Sequence, residues 1–155
     1  MVAIKNILAF AGLAAAGSFN GTGQLRAQWN SGDYADLGCI TDEGLYTANE
    51  DLCGSFDAKA TTGSSMYTYT LTSPAGPCQI YGASLTCSKG NQPYQFGIWP
   101  WPNSIPNTQS LRWGQYGLMA SSVKNPPDPT DAPEDIHFVT YSETGKYVWL
   151  TWKEL

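Results

Sequence analysis

The chain has 155 residues, 13% of them aromatic, and its 13 Asp and Glu against 8 Lys and Arg give a net charge of −5. That length makes one domain with a core of its own. An acidic chain without clustered cations is excluded as a phosphate-tracking nucleic-acid binder and has little attraction to anionic membrane surfaces.

In chain order, residues 1–16 read as a secretory signal: Lys5 supplies the positive start, "ILAFAGLAAA" the short apolar run, and Ala14-Ala15-Ala16 the small-residue cleavage site. The run is too short to span a bilayer, and no later stretch approaches that length, so no stable membrane insertion is expected. A cut as late as Ala27 is the alternative. Residues 17–35 then form an N-terminal extension, and 36–155 the β-rich domain. Asn20-Gly21-Thr22 is a glycosylation sequon, which counts if it survives processing.

Beyond this, helical periodicity is almost absent. Short β-rich runs alternate with turn clusters. They predict strands near residues 37–41, 45–48, 54–61, 65–72, 77–81, 84–88, 93–98, 111–119, 137–142 and 146–152. In "CQIYGASLTC", Gly82-Ala83 makes a two-residue hairpin turn, so Tyr81 faces Ser84, Ile80 faces Leu85, Gln79 faces Thr86 and Cys78 faces Cys87. The cysteine pair falls on a non-hydrogen-bonded site, where Cα atoms come closest, which suits a disulfide. Cys39–Cys53 follows by elimination. Two bridges and a signal peptide both point to an oxidising, extracellular destination.

Residues 99–108 carry Pro100, Pro102 and Pro106, and 124–135 carry four prolines and four acids; both are expected as loops. "SETG" should turn "HFVTY" back onto "KYVWLTW" as a hairpin. The fold class is all-β, a compact single-domain β-sandwich or β-barrel with two disulfides.

Within "GIWPWPN", Trp99 and Trp101 stand two positions apart, each followed by a proline. Extended chain would point both rings the same way, and a Pro-locked loop would hold them as a candidate binding surface for protein or sugar. The competing expectation is that they cover a barrel end. Trp149 and Trp152 are expected to be buried at least in part, and Trp113 is a core candidate.

Catalytic signatures are thin. His137 is the single histidine; with Glu134, Asp135 and Arg112 it allows a sketch of a small secreted hydrolase or ribonuclease. "GASLT" lacks the second glycine of a nucleophile elbow. Asp128, Asp131, Glu134 and Asp135 lack calcium-loop spacing, and the cysteines have no zinc spacing, so no metal and no cofactor are expected.

Three stretches, "LGCITDEGLYTANEDLCGSF", "LRWGQYGLMASS" and "KYVWLTWKEL", resemble the small secreted fungal proteins described as hypersensitive-response-inducing elicitors, as in the rice blast fungus. The resemblance runs over roughly residues 36–153. It implies a non-enzymatic effector released into the plant apoplast, where it meets a cell-surface protein or cell-wall glycan and triggers cell death and defence. It carries over no catalytic residue. The alternatives are a carbohydrate-binding module using the exposed tryptophans and the hydrolase around His137.

Overall fold

The computed structural model describes residues 19–30, 33–61, 68–100, 109–121, 126–139 and 147–155. Twelve strands are found among them: β1 (Gly21–Trp29), β2 (Asp36–Ile40), β3 (Tyr46–Thr47), β4 (Phe56–Ala60), β5 (Thr68–Ser73), β6 (Gly76–Tyr81), β7 (Ser84–Cys87), β8 (Phe96–Pro100), β9 (Gln109–Arg112), β10 (Leu118–Ser121), β11 (Ile136–Phe138) and β12 (Val148–Glu154). One 3-10 turn, Glu50–Leu52, lies between β3 and β4. No helix among the described residues is long and apolar enough to cross a membrane.

The architecture is a closed eight-strand antiparallel barrel. Its ring runs β1-β4-β5-β6-β7-β11-β10-β12, and β12 returns to β1 through seven register pairs from Gly23↔Glu154 to Trp29↔Val148. Two ring strands have a divided outer edge. β12 pairs with β10 at Val148 and Trp149 but with β9 at Thr151. β5 pairs with β6 at Thr72 and Ser73 but with β8 at Thr68 and Tyr69. The β8–β9 pair therefore spans the fork between β5 and β12, and the wall is branched there.

Alternation decides what fills the barrel. Leu25 and Ala27, Phe56 and Ala58, Phe96 and Ile98, Ile136 and Phe138, and Val148, Leu150 and Trp152 all point inward and are buried together. Each large side chain among them contributes on the order of 1.5–3 kcal/mol on burial. Phe19, fully buried, packs on Trp152 with ring centres 5.1 Å apart and on Tyr69 at 6.4 Å.

The β6–β7 hairpin has the expected register, with Gly82 at φ +65° in its turn. The Cys78–Cys87 bridge spans a Cα separation of 4.0 Å. Cys87 N–H donates to Glu43 O and Cys78 C=O accepts from Tyr94 N–H, so the two facing cysteines exchange no backbone bonds, as a non-hydrogen-bonded site requires. The second bridge joins Cys39 to Cys53.

Four expectations need correction. Residues 17–35 are no extension: β1 lies inside them and closes the barrel. The single strand expected over 111–119 is two, because Trp113 and Tyr116 exchange backbone hydrogen bonds of 2.8 and 2.9 Å around Gly114 at φ +58°. β11 is no direct partner of β12, since β10 lies between them; the "SETG" turn itself falls outside the described residues. Trp99 belongs to a strand, as described below.

Candidate functional site

Trp99 is in β8, not on a loop, and Pro100 pairs with Gln109 in the same ladder. Among the described pairings β8 meets β5 at Phe96 and Gly97, and its last residues, Pro100 included, pair with β9. Trp101 lies outside the described residues. With Phe96 and Ile98 pointing into the barrel, Trp99 points out and is half-buried. Its ring stands edge-to-face on Trp149, centres 6.0 Å apart at 80°.

Trp149 is 6% exposed although it lies on the outer side of β12, opposite the core residues Val148 and Leu150. Gly117 makes room for it: a Cβ there would stand 2.5 Å from the Trp149 ring and 3.5 Å from Trp99. The cross-strand line Trp99–Ser110–Thr151–Arg26 runs over the outer face of β8, β9, β12 and β1. Ser110 and Thr151 are buried, and among the described residues the Ser110 hydroxyl has no hydrogen-bond partner. A second aromatic group gathers at the β9–β10 turn, where Trp113 contacts Tyr116 at 5.7 Å and Phe138 at 6.0 Å.

At the far end of that line Arg26 is held by two carboxylates. Its Nε and Nη2 donate to Asp36 at 2.9 and 3.0 Å, and its Nη2 and Nη1 to Glu50 at 2.6 and 2.9 Å. Nη1 also lies 3.3 Å from Cys53 Sγ. Burial opposes the charged guanidinium, but the hydrogen bonds and charges of Glu50 and Asp36 outweigh it, and Arg26 is held above its ordinary range. The same hydrogen bond from Arg26 holds Glu50 below the usual carboxylate range, against its partial burial. This clamp ties β1, β2, the 3-10 turn and the Cys39–Cys53 bridge together.

Beside that bridge Thr41, Asp42, Glu43, Asp51, Leu52, Cys53 and Pro133 line an open hollow of about 290 Å³. Its acids are partly engaged locally: Glu43 accepts from Thr41 Oγ1 at 2.9 Å and Asp42 from Ser55 N–H at 3.0 Å. Among the described residues no three His, Cys, Asp or Glu are placed to hold a metal ion.

Arg112 is not brought to the other residues of the sketched hydrolase. His137 faces outward from β11, opposite Ser84 and Ala120. Arg112 lies on β9, its side chain across Gly97, and strands β10 and β12 intervene. Three strand spacings amount to roughly 14 Å along the wall. Glu134 accepts from Ser121 Oγ and pairs its backbone with Tyr46, and Asp135 is exposed.

The family model of the RNase T2-like C-terminal domain matches residues 17–114. The chain belongs to the RNase T2-like C-terminal domain family. No curated protein and no solved structure matches it. The stretch matched to the RNase T2-like C-terminal domain runs from just before Phe19 through β9 and contains all four cysteines, the Arg26 clamp and Trp99. His137 and Trp149 lie beyond it. The two disulfides of this RNase T2-like C-terminal domain fit a secreted protein. Sequence reasoning missed β1 and Arg26 entirely, for want of an apolar run. It found Trp99 but not the side of the wall on which it stands.

Proposed function

We propose that this RNase T2-like C-terminal domain is a secreted recognition protein that binds a plant-surface component through the outer aromatic face around Trp99, and that this contact elicits cell death and defence in the apoplast. The observation that carries the reading is the placement of Trp99: outward on the barrel wall, half-buried, its ring oriented by Trp149. A tryptophan fixed in this way loses little freedom on binding and suits stacking on a sugar ring or a protein hot spot. Resemblance to the elicitor family supports the plant-surface partner.

The test compares the purified wild type with Trp99→Ala for retention on insoluble chitin, cellulose and β-glucan, for leaf response after infiltration, and for thermal melting. Retention or leaf response lost in Trp99→Ala, with melting close to wild type, is the expected result. The second reading, a ribonuclease, is favoured only by the family's name. RNA cleavage by the pure chain, abolished in His137→Ala, would establish it and overturn the proposal.

A further inference from the structure

We propose that Asn20 is an N-glycosylation site carried by the mature chain, and that removal of any leader stops upstream of Phe19. This inference is independent of Trp99 and its ligand.

Phe19 anchors the argument. It is 0% exposed, packs on Trp152 and Tyr69, and its N–H donates to Gln109 Oε1 at 3.0 Å. Loss of Phe19 would open the inner face of Trp152, itself a core residue. A cut after Ala27 would go further. It would take away the buried Leu25 and Ala27, the Arg26 clamp and five of the seven pairs that join β1 to β12. A ring closed by those pairs does not survive that loss. The folded protein therefore retains Phe19 and everything after it, including Asn20-Gly21-Thr22.

The sequon is also accessible. Asn20, Gly21 and Thr22 are all exposed, at the point where the chain leaves the buried Phe19 and enters β1. Gly21 has φ +70° and open space where a Cβ would stand. Thr22 Oγ1 donates to Asp57 at 2.7 Å, so the third sequon residue is held on the outside of the barrel. A bulky, hydrated glycan is compatible only with such a site. The two disulfides fit the secretory compartment in which the transfer takes place.

The step is a substitution at a sugar carbon, without redox change. The donor is an oligosaccharide linked to a lipid diphosphate, and the catalyst is the secretory pathway's transferase. Asn20 Nδ2 forms a bond to the anomeric carbon while the bond from that carbon to the diphosphate oxygen breaks. The lipid diphosphate leaves with the electron pair, and one amide proton passes to base. The transfer takes place on the extended chain, before Thr22 Oγ1 engages Asp57.

The full chain should be secreted from a yeast host and its intact mass and N-terminal peptide measured before and after peptide N-glycosidase. The expected result is an N-terminus at or before Phe19 and a mass excess of one oligosaccharide, released by the enzyme with deamidation at position 20. Asn20→Gln and Thr22→Ala should each abolish the excess, and Thr22→Ser should keep it. Secreted wild-type protein with the bare polypeptide mass, or an N-terminus beyond Phe19, would overturn the proposal.

Discussion

Trp149 owes its burial to three neighbours of quite different kinds: Trp99 edge-on above it, Gly117 at its rim and Leu118 as its β10 register partner. Trp149→Ala removes the support of the whole outer cluster and should cost about 3–5 kcal/mol in denaturant unfolding, whereas the half-buried Trp99→Ala should cost much less. Gly117→Ala puts a methyl 2.5 Å from the Trp149 ring. Overpacking of that kind costs about 1–3 kcal/mol, and a melting temperature equal to wild type would show that the ring can step aside. Ser110→Ala should leave stability unchanged or raise it slightly, because its buried hydroxyl has no partner among the described residues to lose. The burial of Trp149 was legible in the sequence, but the neighbours that bury it were not. "WPWP" announces two rings and two prolines, but the face a ring occupies depends on which strand lies beside it.

β1 and the Arg26 clamp show the limit at the scale of elements. The strand reads "GTGQLRAQW", with glycine and alanine at inward positions beside only one large aliphatic residue, so it gives no hydrophobic signal. Its importance comes from partners more than 100 residues away. The hairpin 78–87 was legible because its partners are local and a glycine marks its turn. The clamp also makes a pH prediction. The Glu50 carboxyl ionises more readily folded than unfolded, so its contribution is complete above the unfolded value of about 4.3 and is lost as pH falls through the lower folded value. Wild type should therefore melt above Glu50→Gln at pH 7, and the gap should close in acid. A gap that persists well below pH 4 would mean that the carboxylate's charge is not what matters. The gap itself will be modest, because the Glu50 side chain is 64% exposed.

For the molecule as a whole, the all-β class and both disulfides were legible, but barrel closure was not, since no local pattern encodes the pairing of the first strand with the last. Each bridge closes a short loop, worth about 3 kcal/mol by chain entropy. Replacing either cysteine pair by serine should lower the unfolding free energy by an amount of that order, and an unchanged denaturant midpoint would contradict it. The forked wall has a further consequence. The eight-strand ring is complete without β8 and β9, so that pair can separate from β5 and β12 while β1 and β12 stay joined. Amide exchange should then resolve two cooperative units, with β8 and β9 opening at a lower free energy than the ring. Trp99 rides on the looser unit. A ligand gripping it should slow exchange in β8 and β9 while leaving the β1–β12 seam at its free-state rate.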